Sequence, residues 1–315
     1  MIKKTILITG AFGFIGTNLS SFLKDQEIYT LIALDIEKPL NHKYDKFYSW
    51  NQIDEIDWDN IHTIIHLAGK AHDTKNSKEE VYREINVGLT KRIISYFKKS
   101  KAQRFIFFSS VKAVADTVSG AFLCEETIPN PQTPYGKSKL EAERLIQIET
   151  NGTEKKVFII RPCMIHGPGN KGNLNLLYKM VEKGIPYPLG SFENLRSFTS
   201  IRNLNFVLEQ LIQKDVKSGI YQLADDETLS TNQLIEEIAF SMGKKKKIWY
   251  INKRFVKYIA TIGDFLHLPI NNETLKKLTE SYVVSNNKIK KTLGIDKMPI
   301  SAKKGLVITL KSFKN

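Results

Sequence analysis

The first half of the chain alternates short runs of β-branched and aromatic residues with longer stretches of helical periodicity. The runs predict strands at Thr5–Thr9, Thr30–Asp35, Thr63–Ala68, Arg104–Ser109 and Val157–Arg161. The stretches between them predict helices at Phe14–Lys24, Glu79–Lys99 and Tyr135–Glu149. Alternation of this kind predicts an α/β fold built on a parallel sheet wrapped by helices.

Two of these strands are apolar throughout instead of alternating apolar with polar positions. They include residues 6–8 (Ile-Leu-Ile) and residues 105–108 (Phe-Ile-Phe-Phe). A continuous apolar run is typical of a strand that is covered on both faces. We therefore expect helices on both sides of the sheet.

The pattern changes after Arg161-Pro162. A Gly- and Pro-rich loop over residues 166–172 leads to a predicted helix near Asn173–Lys183, and helices dominate the remainder except for a predicted strand at Gly219–Leu223. We predict a first domain over 1–165, to which the chain returns around 203–225. A smaller, mainly helical second domain is predicted over 166–315.

Composition narrows the class of protein. The 315 residues are 42% hydrophobic and 25% charged, which excludes collagenous and disordered chains. Only Cys124 and Cys163 are present, which suits a reducing compartment. No run approaches the roughly 18 consecutive apolar residues of a membrane span. We expect a soluble, cytoplasmic protein without a membrane span.

The formal net charge is +14, an excess that can mark nucleic-acid or membrane partners. Here most of the lysines are scattered along the chain. The dense run Lys244–Lys247 lies between two helical patterns and is interpreted as a solvated loop. We expect no nucleic-acid partner, whereas an anionic substrate would benefit from the positive field.

A glycine-rich turn at residues 10–16 joins the first strand to the first helix. Glycines permit a tight turn and close backbone approach, and the amides of a helix N-terminus favour a pyrophosphate. The turn therefore predicts a phosphate site of a dinucleotide cofactor. The cofactor contacts expected from it are Gly10, Phe12, Gly13, Phe14, Ile15 and Gly16.

Asp35 ends the second strand, about 20 residues after the glycine turn. A carboxylate there can accept hydrogen bonds from the adenosine ribose hydroxyls and would repel a ribose phosphate. Lys38 follows, but no arginine comes directly after Asp35. This pattern favours NAD over NADP.

Tyr135 and Lys139 lie one turn apart at the start of a predicted helix. Oxidation of a secondary alcohol needs a base, and a tyrosine with its usual pKa near 10 is too protonated to serve well. We assign Lys139 to lower the pKa of Tyr135 and, with Tyr135, to contact the cofactor by anchoring the nicotinamide ribose. We assign Ser110, which follows a buried strand, to bind the substrate with Tyr135 by a hydrogen bond to the reacting oxygen. These three residues are the predicted catalytic group.

The histidines offer no further catalytic candidate. His66 lies on a core strand and is expected to be a buried, hydrogen-bonded histidine, and His166 is interpreted as structural. No cluster of metal ligands is apparent in the sequence, so we expect no metal.

Several motifs together resemble the NAD-dependent epimerase/dehydratase family of extended short-chain dehydrogenases. They are GAFGFIG (10–16), HLAG (66–69), NVGLT (86–90), FFSSVK (107–112), PYGKSK (134–139), RP (161–162) and HGPG (166–169). The resemblance covers essentially the whole chain. It implies a Rossmann-like, doubly wound parallel sheet with a smaller C-terminal domain that holds a nucleotide-sugar substrate.

The same resemblance implies roles for further residues. Leu67, Ala68, Gly69 and Lys70 would pass beside the NAD cofactor, and Asn86 would bond backbone near the active site. Asn173 and Arg196 match the pyrophosphate-binding positions of the substrate site. The resemblance also suggests a homodimer formed through the helices at Glu79–Lys99 and Tyr135–Glu149.

The residue pair after Ser110 bears on the reaction. The resembling sugar 4,6-dehydratases carry Asp-Glu after the catalytic hydroxyl, whereas this chain has Val111-Lys112, which argues against dehydration. The expected function is an NAD-dependent 4-epimerase of a UDP-hexose or UDP-N-acetylhexosamine. One alternative is an NAD(P)H-dependent 4-reductase of UDP-4-keto-6-deoxy sugars in surface-polysaccharide biosynthesis. A more remote alternative is a non-catalytic dinucleotide-binding protein.

Overall fold

The computed structural model describes residues 3–71, 78–170, 172–266 and 271–313. Their strands are β1 (Lys4–Thr9), β2 (Tyr29–Asp35), β3 (Lys46–Ser49), β4 (Thr63–His66), β5 (Arg104–Phe108), β6 (Lys156–Pro162), β7 (Met164–His166), β8 (Phe198–Ser200) and β9 (Gly219–Leu223). Their α-helices are α1 (Phe14–Lys24), α2 (Glu79–Arg83), α3 (Leu89–Lys99), α4 (Pro134–Glu149), α5 (Asn173–Glu182), α6 (Ile201–Gln213), α7 (Thr231–Ser241), α8 (Lys253–Phe265), α9 (Asn272–Thr279), α10 (Asn287–Leu293) and α11 (Ala302–Ser312).

Seven of these strands form one parallel sheet in the order β3-β2-β1-β4-β5-β6-β9. The direction in which strands are added reverses between β1 and β4. In such sheets a crevice opens at the carboxyl ends of the strands where the order reverses. The segments that follow β1 and β4 therefore border a crevice at the carboxyl edge of the sheet.

The sheet separates two hydrophobic cores. Ile6 and Ile8 of β1 point into the core that α1 and α6 cover, whereas Leu7 points into the core that α3 and α4 cover. Successive side chains of a strand point to opposite faces, so a strand that is buried on both faces carries consecutive apolar residues in its middle. The predicted Rossmann-like, doubly wound α/β fold is confirmed.

The structure differs from the predicted elements in three ways. Strands β3, β7 and β8 were not predicted, because runs of three or four residues carry too little periodicity. The predicted helix Glu79–Lys99 contains a π-helical turn at Glu84–Gly88. The predicted strand Thr63–Ala68 ends at His66, because the Ala68 amide donates to the Thr9 side chain and not to a neighbouring strand.

A third core lies in the C-terminal part of the chain. It contains buried side chains of α5, α7, α8, α9 and α11. Strands β7 and β8 form a separate two-stranded parallel sheet, and β9 then returns the chain to the main sheet beside β6. Lys171, in the predicted Gly/Pro loop, lies outside the described residues. Among the helices of the described ranges, none is long and apolar enough to cross a membrane.

Candidate active site

Gly10 begins the turn between β1 and α1 with a left-handed φ of +65°, a conformation that favours glycine. A Cβ atom at this position would lie 2.7 Å from the amide nitrogen of Ala68. Any side chain here would push the turn away from the segment after β4. Glycine at position 10 thus brings the two borders of the crevice into contact.

The other two glycines of the turn have different surroundings. A Cβ at Gly16 would lie 2.3 Å from the carbonyl oxygen of Ala11, so Gly16 lets α1 pack against the turn. A Cβ at Gly13 would meet only the carbonyl oxygen of Gly10, at 3.3 Å. Gly13 is the N-cap of α1 and provides no side-chain cap, and the first turn of α1 carries no acidic residue. The N-terminal amides of α1 are therefore available to an anion.

The remaining residues of the turn point into the protein. Phe12, Phe14 and Ile15 are partly buried and pack against the core on the α1 side of the sheet. The Phe12 ring contacts the Tyr44 ring edge-on, with centroids 5.5 Å apart. If these three residues contact a cofactor as predicted, the main chain provides most of that contact.

Tyr44, which was not predicted as a site residue, packs against the glycine turn and holds it through hydrogen bonds. Its buried hydroxyl donates to the carbonyl oxygens of Ala11 and Gly16, at 2.9 and 3.0 Å. Burial raises the pKa of Tyr44 well above its usual value, so the hydroxyl remains a donor. Tyr44 lies outside every predicted element, and its only sequence signal is an aromatic residue just before β3.

Asp35 lies beside the glycine turn at the carboxyl end of β2. Its Oδ2 accepts the Phe12 amide at 2.8 Å, and its Oδ1 accepts the Ile36 amide at 2.8 Å. The side chain is half-buried. Two main-chain donors thus hold the carboxylate in one orientation at the edge of the crevice.

Asn86 connects the segment after β4 to α4. Its Oδ1 accepts the Lys70 amide at 2.7 Å, and its Nδ2 donates to the Lys70 carbonyl at 3.2 Å and to Ser138 Oγ at 2.9 Å. Asn86 is buried within the π-helical turn, a geometry that occurs frequently at functional sites. The predicted cofactor segment Leu67–Lys70 is thereby held at a defined distance from α4.

A chain of hydrogen bonds beneath this segment includes His66, which is fully buried. The Ala68 amide donates to Thr9 Oγ1, which lies 2.6 Å from His66 Nδ1, and His66 Nε2 lies 3.1 Å from Thr90 Oγ1. Because Thr90 Oγ1 donates its proton to the Asn86 carbonyl, Nε2 carries the histidine proton. Burial, with a contribution from the Lys139 charge, lowers the pKa of His66 to about 3. His66 is therefore the neutral, hydrogen-bonded core histidine that we expected.

The structure brings Ser110, Tyr135 and Lys139 together at the carboxyl end of β5. Tyr135 and Lys139 lie on the first two turns of α4, whose N-cap, Thr133, accepts the Gly136 amide at 3.2 Å. The side chains of Ser110 and Tyr135 are hydrogen bonded to each other. A Cβ at Gly69 would lie 3.3 Å from Lys139 Nζ. The three predicted catalytic residues therefore border the same crevice as the glycine turn.

Burial shifts the pKa values of the tyrosine and the lysine in opposite directions. It raises the pKa of Tyr135, and the hydrogen bond with Ser110 partly offsets that rise. Burial lowers the pKa of Lys139 to about 8, while the charge of Glu143 acts in the other direction. Lys139 Nζ donates to the Phe108 carbonyl at 2.8 Å.

A buried ion pair lies behind Lys139 and was not predicted. Arg161 Nε and Nη2 donate to the two carboxylate oxygens of Glu143 at 2.9 and 2.5 Å, and Ser109 Oγ also donates to Glu143. The side chains of Arg161 and Glu143 are 3% and 1% exposed, so their charges are compensated almost entirely by each other. This bidentate pair joins α4 to β6 one turn after Lys139.

The predicted substrate residues lie in the C-terminal part of the chain. Asn173 is exposed at the start of α5. Arg196 is partly buried and donates through Nη2 to the Lys277 carbonyl, whereas its buried Nε has no partner among the described residues. Burial lowers the pKa of Arg196 below its usual range. Its Nε is a donor that a bound anion could satisfy.

Lys112 and Tyr282 bring the Arg196 segment to the Ser110 loop. Lys112 Nζ lies 4.5 Å from the centroid of the Tyr282 ring and donates to the Asp116 carbonyl at 2.9 Å. Tyr282 also pairs with Arg196 through a β-bridge. Tyr282 was not predicted, since nothing in the local sequence distinguishes it from other aromatic residues.

The described ranges contain no group of three or more His, Cys, Asp or Glu side chains that could hold a metal ion. His166 is buried, and its Nδ1 lies 2.8 Å from Thr309 Oγ1.

Comparison with known proteins places the chain in a family. The model of the NAD dependent epimerase/dehydratase family matches residues 6–224. The chain belongs to that family. The match begins in β1 and ends just after β9, so it includes the glycine turn, Ser110, Tyr135 and Lys139.

Two curated relatives of this epimerase/dehydratase family member are 4-epimerases. UDP-glucose 4-epimerase of Vibrio cholerae is 29% identical, over 99% of this chain and 96% of that protein. N-acetyl-alpha-D-glucosaminyl-diphospho-ditrans,octacis-undecaprenol 4-epimerase of Escherichia coli is 29% identical, over 92% of this chain and 86% of that protein. The solved structure of UDP-glucuronic acid 4-epimerase from Bacillus cereus in complex with NAD has the same fold, with a TM-score of 0.75, 20% identity and 98% of each chain covered.

Proposed function

We propose that this protein is an NAD-dependent 4-epimerase of a UDP-hexose or UDP-N-acetylhexosamine. The observation that carries the proposal is the convergence of Ser110, Tyr135 and Lys139 on the crevice that the glycine turn and Asp35 also border. The two curated relatives named above act at the same sugar carbon.

The crevice has the features that a dinucleotide requires. The open N-terminus of α1 at Gly13 would bind the pyrophosphate, and the oriented carboxylate of Asp35 would accept the ribose hydroxyls. Lys139 and the segment held by Asn86 would bind the nicotinamide end. When bound, NAD supplies a reversible acceptor for the hydride on carbon 4 of the sugar.

The residues of this chain supply the proton chemistry. Tyr135, as phenolate, takes the proton of the sugar 4-hydroxyl, and Ser110 holds the same oxygen through a hydrogen bond. Because burial raises the pKa of Tyr135, the phenolate needs a nearby positive charge. Lys139, one helical turn away, provides that charge whenever its ammonium is protonated. After the 4-keto sugar has turned, Tyr135 returns the proton to the 4-oxygen as the hydride comes back to the opposite face of carbon 4.

Arg196 and Asn173 are the proposed ligands of the substrate diphosphate. The unpartnered Nε of Arg196 supports this assignment, because a guanidinium binds phosphate through several parallel hydrogen bonds. Lys112, two residues after Ser110, supports epimerisation over dehydration. It places an ammonium where the resembling dehydratases carry a carboxylate.

Three organisational features are part of the proposal. The division into a first domain (1–165, with a return around 203–225) and a substrate domain (166–315) agrees with the separate third core. We also propose a homodimer formed through α2–α3 and α4, and a cytoplasmic location, both on the basis of the sequence. Size-exclusion chromatography with light scattering would test the dimer.

The function is tested by incubating purified protein with a panel of UDP-hexoses and UDP-N-acetylhexosamines, without added NADH or NADPH. We expect interconversion of the two 4-epimers to equilibrium, without net change in nicotinamide absorbance. The absence of epimers across the panel, together with stoichiometric NADH or NADPH consumption on a UDP-4-keto-6-deoxy sugar, would identify the 4-reductase instead.

A further inference from the structure

Helix α8 exposes its large apolar side chains and buries its small ones. Val256, Ala260 and Gly263, at spacings of four and three residues, are the buried positions of the helix. The exposed apolar side chains are Phe255 (56%), Tyr258 (65%), Ile259 (43%), Ile262 (39%), Phe265 (83%) and Leu266 (56%). We call these six residues the α8 face.

The α8 face is a continuous stripe. Its members at positions 255, 259, 262 and 266 recur at helical spacing, and positions 258 and 265 lie beside them on the same side. Trp249 and Tyr250, just before the helix, are also exposed. Eight of the 21 large apolar side chains exposed in the described part of the chain therefore lie between Trp249 and Leu266. Such a concentration marks an interaction surface.

The surface is strongly basic around the apolar stripe. Seven lysines and arginines and a single carboxylate, Asp264, lie between residues 244 and 266. Asp264 accepts hydrogen bonds from the amide and the side chain of Asn272. The lysine run Lys244–Lys247 contributes to a cleft of about 360 Å³ beside Val181–Ile185. A partner that matches this surface therefore provides an apolar phase for the exposed side chains and negative charge for the basic residues.

We propose that the α8 face docks on the surface of an anionic lipid bilayer. An amphipathic helix with aromatic and aliphatic residues on one side and lysine and arginine on the other lies in the plane of a membrane interface, with its apolar side among the acyl chains. Acidic headgroups attract the basic residues around it. Exposed tryptophan and tyrosine are typical of this interface.

The charge argues for a bilayer over a second copy of this chain. Two copies joined through the α8 face would bring together two segments that each carry seven cationic side chains, against Asp264 and the Glu236 partner of Lys246. Like charges that face each other across an interface oppose association. The inference does not depend on the proposed epimerase activity, because it uses none of the residues of the crevice.

The test is flotation of the full-length protein with vesicles of pure phosphatidylcholine and with vesicles of phosphatidylcholine and phosphatidylglycerol. We expect binding to the anionic vesicles at least tenfold stronger than to the neutral ones, falling as sodium chloride is raised. Phe255→Ser/Phe265→Ser should reduce that binding at least tenfold. Its matched control, Phe122→Ser/Ile128→Ser, removes two apolar side chains of similar exposure (52% and 86%) elsewhere and should bind as the unmodified protein does.

A second pair of variants separates charge from apolar contact. Arg254→Gln/Lys257→Gln should weaken binding to anionic vesicles, whereas Lys291→Gln/Lys297→Gln, which removes the same charge from exposed positions elsewhere, should not. All substituted side chains are exposed, so unfolding temperatures should stay unchanged. Equal binding of each variant and its control would overturn the proposal. Failure of the unmodified protein to float with anionic vesicles would also overturn the proposal. If Phe255→Ser/Phe265→Ser then dissociates a dimer, the α8 face binds a second copy of the chain instead.

Discussion

Tyr135 and Lys139 are neighbours whose ionisation burial affects in opposite senses. Burial raises the pKa of the phenol and lowers that of the ammonium, because it disfavours the charged form of each group. Perturbed pKa values of this kind are frequent at groups that exchange protons with a substrate.

Tyr135→Phe removes the proton-transferring hydroxyl while it keeps the ring that contacts Tyr82 edge-on. We expect kcat to fall at least about a hundredfold, because general acid–base catalysis contributes that much or more. NAD binding, measured by calorimetry, should change little. Tyr96→Phe, whose hydroxyl bonds Asp54 on the surface, is the matched control. Near-normal turnover of Tyr135→Phe would rule out the assigned base.

Lys139→Met tests the low pKa of the lysine. Between the folded pKa of about 8 and the unfolded value near 10.4, the unfolded chain holds a proton that the folded protein has lost. Raising the pH through this window therefore stabilises the unmodified protein relative to the variant, by up to about 3 kcal/mol. Denaturant unfolding of both proteins from pH 7 to 10.5 measures the difference. A difference that stays constant with pH would show that Lys139 is not desolvated.

At the scale of elements, α4 is held in place by the Glu143–Arg161 pair. Glu143→Gln leaves the buried guanidinium of Arg161 without its counter-charge, which should lower the free energy of unfolding by about 3 kcal/mol. Glu149→Gln on the same helix removes a carboxylate whose ion pair with Lys98 is solvent-exposed, and it should have little effect. Equal stabilities of the two variants in chemical denaturation would contradict a structural role for the buried pair.

The elements that the sequence predicts are those with strong local signals. Strands β1 and β5 contain continuous apolar runs, and α1 and α4 carry long helical periodicity, so their positions follow from the chain itself. The three short strands form only because tertiary neighbours pair with them. The π-helical turn has no periodicity of its own and is defined by the bonds of Asn86 to Lys70 and Ser138.

The same distinction applies to the candidate site. Gly10, Asp35 and Ser110 lie at the carboxyl ends of strands, and Tyr135 lies at the start of α4, so the strand order and the packing of α4 bring them to one crevice. Tyr44, Tyr282 and the Glu143–Arg161 pair contribute through long-range contacts that no local pattern reveals. The exposed α8 face was also missed, because helical periodicity does not show which side of a helix the core covers.

At the scale of the whole molecule, the crevice is bordered by two parts of the chain with separate cores. The sheet supplies Ser110 and the glycine turn, whereas Arg196 belongs to the C-terminal part and reaches the Ser110 loop through Tyr282 and Lys112. Substrate recognition and chemistry should therefore be separable by mutation.

Arg196→Ala tests that separation. We expect the KM for the UDP sugar to rise about tenfold or more, because a charge-assisted phosphate contact is lost, while kcat changes less. Arg202→Ala, an exposed arginine of α6, is the control. Steady-state kinetics in which KM is unchanged and kcat falls would place Arg196 outside the diphosphate site.

The most direct test of the account follows the hydrogen on carbon 4. A UDP sugar that the protein epimerises is prepared in two forms, one deuterated at carbon 4 and one uniformly labelled with carbon-13, and the mixture is incubated without added nicotinamide cofactor. Mass spectrometry should find 4-epimer product that retains its deuterium, with none transferred to the carbon-13 sugar, because one site removes and returns the hydrogen within a single binding event. Deuterium on the carbon-13 product, or its loss to solvent, would contradict the account.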